Sequence, residues 1–94
     1  MSQRLPPLYA LRAFEAAARH SSFTRAADEL NITQSAVSRH IRTLEEHFAC
    51  RLFVRNGRSL QLSEAARLLL PGVREGFGAL ERACSTPVSY THLR

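Results

Sequence analysis

The feature that most limits the fold of this chain is a short break between two helical patterns in residues 23–42, FTRAADELNITQSAVSRHIR. Apolar residues recur at helical spacing before the break, at Phe23, Ala26, Ala27 and Leu30. After it a second stripe contains Val37, Ile41, Leu44 and Phe48. Asn31 tolerates the left-handed conformation of a helix end, Ile32 is expected to be buried in the turn, and Thr33 can cap the next helix. Two short helices joined this tightly predict a helix-turn-helix.

The outer face of the second helix is polar and contains no acid. Its residues are Gln34, Ser35, Ser38, Arg39 and Arg42. DNA repels carboxylates, whereas Gln and Arg offer paired hydrogen-bonding groups to base edges and Ser allows close approach of the helix. A solvated face is the alternative, with the arginines paired to Glu45 or Glu46. We favour DNA for Arg39 and leave Arg42 open between a phosphate and Glu46.

The charge of the chain agrees with a polyanionic partner. Its 94 residues, enough for one small domain, include 13 basic and 8 acidic residues, for a formal net charge of +5. Every basic residue is Arg, whose planar guanidinium suits phosphate oxygens and guanine edges. A solvated basic surface remains the alternative, because charge alone favours nucleic acid only modestly.

Two further elements flank this pair of helices. Before it, residues 8–19 form a first amphipathic helix with an inward stripe of Leu8, Leu11, Phe14, Ala17 and Ala18. Ser22 is placed to cap the next helix. After it, residues 52–62, LFVRNGRSLQL, contain Asn-Gly between two short apolar-rich runs, which predicts a hairpin with a type I′ turn. The tip of this hairpin is basic, since Arg55 and Arg58 flank the turn.

The last helix is predicted over residues 63–85, with Ser63 as its cap. Apolar residues follow an a/d pattern at Leu70, Val73, Phe77, Leu80 and Cys84. The stripe favours a partner helix, although a simple core contact is the alternative. Residues 86–94 continue no period and are expected to be a tail that is not native. The predicted fold is mainly α: a winged helix-turn-helix of three helices and a two-stranded wing at residues 5–62, followed by a long dimerisation helix.

Several classes of protein are not supported by the sequence. No apolar run approaches the ~20 residues that span a membrane, and residues 1–12 lack the apolar region of a signal peptide, so we expect a cytoplasmic protein. Cys50 and Cys84 form no metal or disulfide motif, and His47 has no further ligands spaced for a metal. No catalytic motif is present, so we expect no enzyme, cofactor or metal site.

The stretch SFTRAADELNITQSAVSRHIRTLEEHFACRLFVRNGR resembles the N-terminal DNA-binding domain of the LysR family of bacterial transcriptional regulators. LRAFEAAARHSSFTRAA and LSEAARLLLPGVREGF resemble the same family, and the resemblance covers residues 5–83. The opening LPPLYALRAFEAAARH is most similar to the subgroup that includes regulators of glycine cleavage and β-lactamase genes. Two positions depart from the family pattern, because Ala49 and Ala66 stand where the family usually has Gly.

The resemblance implies sequence-specific binding of double-stranded DNA by a homodimer, with an interrupted palindrome as its site. The recognition helix would enter the major groove with Gln34, Ser35, Ser38 and Arg39, and Thr33 and Arg42 are further DNA-binding candidates of this helix. The start of the second helix would touch the DNA backbone through Ser22, Thr24 and Arg25, although Arg25 could instead pair with Asp28 or Glu29. A wing of Arg55, Asn56 and Arg58 would lie near the minor groove or backbone. The homodimer would form through Leu70, Val73, Phe77, Leu80 and Cys84.

Family members usually continue into an effector-sensing domain, so we expect this chain to be a fragment whose small-molecule effector acts only through that missing domain. The alternative function is a winged-helix module for protein interaction, or a dimerisation fragment without specific DNA binding.

Overall fold

Three helices form the first part of the chain, and their boundaries follow from local sequence signals. The computed structural model describes residues 5–85, with α1 at Leu8–His20, α2 at Phe23–Leu30 and α3 at Gln34–Phe48. The Ser22 hydroxyl accepts a hydrogen bond from the N–H of Arg25 at 3.1 Å, and the Thr33 hydroxyl accepts one from Ala36 at 3.0 Å. These side chains satisfy N–H groups that a helix start leaves without a partner. The predicted caps of α2 and α3 are therefore confirmed.

All three helices end in the left-handed conformation. Ser21, Asn31 and Ala49 have φ values of 52°, 60° and 57°. At the end of α2, the N–H of Ile32 donates to the carbonyl of Ala27 at 3.1 Å. At the end of α3, Ala49 takes this conformation despite its Cβ atom, which strains the backbone.

The hydrophobic core lies between the three helices and the base of the hairpin. Its largest fully buried side chains are Phe14, Val37, Leu44 and Leu52. Alanines of α1 and α2 allow close packing, since Ala13, Ala16 and Ala26 are fully buried. Three expectations are wrong: the side chains of Ile32 and Phe48 are 37% exposed, and that of Leu8 is 50% exposed. Phe48 is the last residue of α3, beyond the turns of that helix that pack on the core. Ile32 contributes its backbone N–H to the end of α2, and Leu8 lies at the edge of the domain, where the α1 stripe reaches past the core.

The hairpin forms a two-stranded antiparallel sheet of β1 at Phe53–Asn56 and β2 at Ser59–Leu62. Because Asn56 pairs with Ser59, the two loop residues are Gly57 and Arg58. Gly57 has a φ of 68°, and Arg58 is not among the positive-φ residues. The predicted type I′ turn centred on Asn56 and Gly57 is therefore wrong. Gly at the first loop position is the pattern of a type II′ turn, in which only that residue needs positive φ.

Side-chain hydrogen bonds join the base of this wing to its neighbours. The Glu45 carboxylate of α3 accepts a hydrogen bond from the backbone N–H of Leu52 at 2.8 Å. The Ser63 hydroxyl donates to the carbonyl of Arg51 at 2.7 Å and accepts from the N–H of Ala66 at 3.1 Å. Ser63 therefore caps the last helix, as predicted, and also fixes the wing base.

The last helix, α4, is continuous over Glu64–Ser85 and includes Pro71. The mainly α winged helix-turn-helix with a long final helix is thus confirmed. The predicted tail at residues 86–94 lies outside the described residues. Within residues 5–85, no helix combines the length and the apolar character that a membrane span requires.

Candidate nucleic-acid interface

The start of α2 and the start of α3 lie side by side. Thr24 of α2 donates a hydrogen bond from its hydroxyl to the Oε1 atom of Gln34 in α3, at 3.1 Å. The predicted backbone-contacting residues Ser22, Thr24 and Arg25 are thereby brought close to the predicted base-contacting end of α3. Helix starts carry partial positive charge and free N–H groups, which favour an approaching phosphate.

The outer face of α3 is accessible along its length. We call it the recognition face; Thr33, Gln34, Ser35, Arg39 and Arg42 are exposed, and Ser38 is half-buried. The opposite face of α3 is in the core through Val37, Ile41 and Leu44. The periodicity of the helix therefore separates an apolar side from a polar side that no other described element covers.

The arginines of this region form no ion pair within residues 5–85. The ion pairs of the structure use Arg12, Arg19, Arg51 and Arg74, together with His20. The alternative in which Arg42 pairs with Glu46 is absent from them. The alternative pairings of Arg25 are absent as well. Glu29 is bound by Arg19 and His20 instead, and Asp28 forms no ion pair within residues 5–85. These positive charges are available to an anionic partner.

The wing presents its polar residues to solvent. Arg55, Asn56 and Arg58 are exposed, at the tip and last strand positions of the hairpin. Phe53 anchors the other end of β1, with its ring 5.7 Å from that of Phe14 and 5.4 Å from that of Phe23. The edge-to-face contacts fix the wing to α1 and α2, so that its basic tip projects from a rigid base.

Sequence reasoning missed two residues beside the recognition face. The rings of Tyr9 in α1 and His40 in α3 lie 4.8 Å apart between centroids. Burial, and then the positive charge of neighbouring Arg39, lower the pKa of His40. The imidazole is therefore biased towards its neutral form, and Arg39 is the charged group at this point of α3. Neither residue has a local sequence signal, because the contact joins residues 31 positions apart on different helices.

A second candidate interface is an apolar groove between α1 and α4. We call it the α4 groove; its volume is about 840 Å³, and its lining includes Leu8, Phe48, Leu69, Val73, Phe77 and Leu80. The residues of the predicted dimer stripe differ in how far they are buried. Leu70 belongs to the core at 8% exposure, Val73 and Phe77 are half-buried, and Leu80 and Cys84 are exposed. The core alternative therefore holds for Leu70, and the free apolar surface is formed by residues of the groove.

Neither region has the composition of a metal site. Among residues 5–85, no three His, Cys, Asp or Glu side chains converge as ligands. Cys50 and Cys84 are free thiols.

The chain is similar to a known family of proteins. The family model described as bacterial regulatory helix-turn-helix protein, lysR family, matches residues 8–67. The chain is 51% identical over 86 residues to the HTH-type transcriptional activator AmpR of Citrobacter freundii, covering 87% of this chain and 30% of that protein. It is 53% identical over 83 residues to the glycine cleavage system transcriptional activator of Escherichia coli K12, covering 88% of this chain and 27% of that protein.

Two solved structures have the same fold over most of the chain. The BenM_DBD/catB site 1 DNA complex superposes with a TM-score of 0.83 at 28% identity, covering 92% of this chain and 97% of that one. The Corynebacterium glutamicum OxyR C206 mutant also gives a TM-score of 0.83, at 30% identity, covering 89% of this chain and 27% of that one. The resemblance found in the sequence is confirmed, and the relatives are regulators rather than enzymes. The chain spans less than a third of the length of the curated relatives above, at 30% and 27%.

Proposed function

The chain belongs to the lysR family of bacterial regulatory helix-turn-helix proteins, and on that premise we propose that it binds double-stranded DNA sequence-specifically as part of a cytoplasmic transcriptional regulator. The observation that carries this proposal is the recognition face: an exposed, acid-free surface on the second helix of a helix-turn-helix, with Arg39 and Arg42 outside every ion pair of residues 5–85. A guanidinium that has no internal carboxylate exchanges only water for phosphate or guanine on binding.

The recognition face enters the major groove in this proposal. Base edges are contacted by Gln34, Ser35, Ser38 and Arg39, because these side chains occupy the first turns of the helix. Phosphates are contacted by Thr33 and Arg42 beside that helix and by Ser22 and Arg25 at the start of α2. The wing lies over the backbone or minor groove through Arg55, Asn56 and Arg58.

We further propose that a second copy of the chain covers the α4 groove. An isologous dimer needs one patch that presents both a ridge and a groove. On α4, Val73, Phe77 and Leu80 provide apolar side chains along the same groove that Leu8 and Phe48 border. Two recognition helices related by a two-fold axis would bind two half-sites, so the operator would be an interrupted palindrome.

Selection of binding sites in solution from a random duplex library tests the DNA proposal, with the affinity of any enriched site followed against salt. We expect an enriched interrupted palindrome and a steep loss of affinity as salt rises, because several arginines replace condensed counterions. If affinity falls with salt but no sequence is enriched, the chain binds DNA through electrostatic attraction alone and without sequence specificity. Absence of binding at low salt would overturn the proposal and favour the protein-interaction module.

A pair of leucine variants on α4 tests the dimer. Leu80 lines the groove and is 50% exposed, whereas Leu68 is 79% exposed and is not part of the groove lining. Leu80→Arg should convert a dimer into a monomer in sedimentation measurements and remove the preference for two half-sites. Leu68→Arg adds the same charge on the same helix and should change neither. Equal behaviour of the two variants would contradict the α4 groove as the dimer interface.

A further inference from the structure

The hydrogen bond between Thr24 and Gln34 is unusual within this domain. Among the residues that the structure describes, it is the one hydrogen bond between a side chain of α2 and a side chain of α3. Thr24 Oγ1 is the donor and Gln34 Oε1 the acceptor, at 3.1 Å. Both side chains are exposed, so the bond is not required to satisfy a buried group.

Helix capping does not account for this bond either. Ser22 already caps α2 and Thr33 already caps α3, each through its own hydroxyl. Thr24 follows the cap of α2 by two positions, and Gln34 is the first residue of α3. The hydroxyl of Thr24 is thus directed across the turn, at the end of α3 that the proposed function places against base edges.

The chemical consequence concerns the two ends of the Gln34 amide. Oε1 is an acceptor and Nε2 a donor, so turning the amide by half a rotation exchanges what the side chain offers to a base. Thr24 donates its one hydroxyl proton to Oε1, which holds the oxygen end towards α2 and leaves Nε2 as the free end. A glutamine side chain also loses rotamer freedom on binding, and an internal bond removes part of that loss beforehand.

We propose that Thr24 is a positioning residue for base readout, whose hydroxyl fixes the orientation of the Gln34 amide and so sets the base that Gln34 prefers. This inference rests on the proposed function, in which Gln34 faces the major groove. With Nε2 as the free end, the preferred partner is an acceptor. The major-groove acceptors are N7 of either purine, O6 of guanine and O4 of thymine, whereas cytosine presents only a donor. Gln34 therefore discriminates against cytosine at this position.

The interpretation of Thr24 as a phosphate contact makes a different prediction. A hydroxyl that binds phosphate stabilises complexes with every sequence equally, because the phosphate carries no base identity. A hydroxyl that orients Gln34 changes the ratio of affinities at one base pair. The pattern of the loss across sequences therefore separates the two roles.

The experiment uses the whole chain and duplexes in which each base pair of the half-site is replaced in turn by the other three. Gln34→Ala first identifies the base pair whose preference depends on Gln34. Thr24→Val removes the hydroxyl at nearly constant volume, and Thr24→Ser retains it. We expect Thr24→Val to reduce the discrimination against cytosine at that base pair about three- to tenfold, the range of one hydrogen bond. Thr24→Ser should restore most of this discrimination.

The double variant Thr24→Val/Gln34→Ala completes the cycle. If Thr24 acts through Gln34, its replacement has no further effect once Gln34 is alanine. Equal losses on all sequences, persisting in the double variant, would establish a phosphate contact and overturn the inference. So would equal behaviour of the Val and Ser variants. If the chain selects a sequence that Gln34→Ala leaves unchanged, the inference fails while the proposed function stands. If the wild-type chain selects no sequence, the proposed function itself fails.

Discussion

The arginines of two regions of this molecule differ in whether they form ion pairs with carboxylates. Around α1, each lies against a carboxylate, as for Arg12, Arg19 and Arg74. On α2, α3 and the wing, within residues 5–85, five exposed arginines form no ion pair; these are Arg25, Arg39, Arg42, Arg55 and Arg58. The difference shows that position relative to the acids, rather than net charge, determines which arginines remain available to a polyanion.

The first region joins three helices through one charged cluster. Arg19 donates to both Glu15 and Glu29 at distances of 2.8 to 3.0 Å, and Arg74 of α4 lies 3.5 Å from Glu15. Hydrogen bonds from Arg19, and then from His20, hold the pKa of Glu29 at about 2. The hydrogen bond from Arg19 likewise lowers the pKa of Glu15. These arginines are engaged in the fold, and we expect their loss to affect stability.

The largest predicted effect is on the recognition face. Arg39→Ala should weaken binding to the selected operator by about 1 to 3 kcal/mol and relax base preference at one position, because a bidentate contact to a base edge is lost. Thermal stability should be unchanged, since Arg39 forms no ion pair among the described residues. Titration of labelled operator and mutated operators, at one salt concentration, measures both quantities.

Arg39→Lys serves as the control for this variant. Lysine keeps the charge but lacks the planar fork, so it should recover binding to unrelated DNA and little of the base preference. Full recovery by lysine would reduce the role of Arg39 to charge alone.

Ala49→Gly tests whether stability and DNA affinity depend on separate groups. Ala49 ends α3 with a φ of 57°, a conformation that costs a residue with a Cβ atom about 1 kcal/mol more than glycine. The free energy of unfolding should therefore rise by about 1 kcal/mol in urea titrations. Operator affinity should stay the same, because the recognition face is unchanged. A large gain in affinity would instead indicate that fraying of α3 limits binding.

At the wing the predicted loss of DNA affinity is smaller than for Arg39→Ala and does not depend on the DNA sequence. Arg58→Ala should weaken binding to operator and unrelated duplexes alike, by roughly fivefold near 0.15 M salt, if one phosphate contact is lost. The slope of log affinity against log salt should become shallower by about one. Arg82→Ala, which removes an exposed charge from the last turns of α4, is the control and should leave the slope intact.

The local elements of both regions could be predicted from sequence, because their signals lie within a few residues. The extent of α2 and the caps Ser22, Thr33 and Ser63 depend on side chains next to the backbone groups they satisfy. The hairpin turn was misplaced by one residue, since its register is decided by pairing of the whole strands, with Asn56 opposite Ser59. Likewise, the stripe of α4 predicted a surface, but only packing against α1 shows that Leu70 belongs to the core.

The division between paired and unpaired arginines could not be predicted in this way. Sequence spacing offered Glu46 to Arg42 and Glu29 to Arg25, each within one helical turn. Glu29 instead pairs with Arg19, ten positions away on another helix. Glu45 accepts a hydrogen bond from the backbone of Leu52, across the end of α3. Such choices depend on the crossing of helices, which residue periodicity does not specify.

Removal of Arg19, the central arginine of the charged cluster around α1, should lower stability and leave DNA affinity unchanged, which is the converse of Arg39→Ala. Arg19→Ala should lower the free energy of unfolding by less than about 1 kcal/mol, because the cluster is partly exposed and solvent screens it. Operator affinity should remain within twofold of the wild-type value after correction for the folded fraction. An affinity loss as large as that of Arg39→Ala would contradict the separation of the two regions.

The smallest effect is a pH dependence confined to the first region. The pKa of Glu29 is lowered to about 2 in the folded protein from an ordinary value of 4.5. A carboxyl with a lowered pKa contributes stability that is fully present above its ordinary pKa and is lost as the pH falls towards the folded value. Wild-type stability should therefore decline between pH 4.5 and about 2, and Glu29→Gln should make this decline shallower. Urea midpoints at pH 6 and pH 3 measure the difference.

Glu75→Gln is the control, because Glu75 is exposed and forms no ion pair in residues 5–85. If Glu75→Gln flattened the profile as much as Glu29→Gln, overall charge rather than the Arg19 cluster would be the source of acid sensitivity.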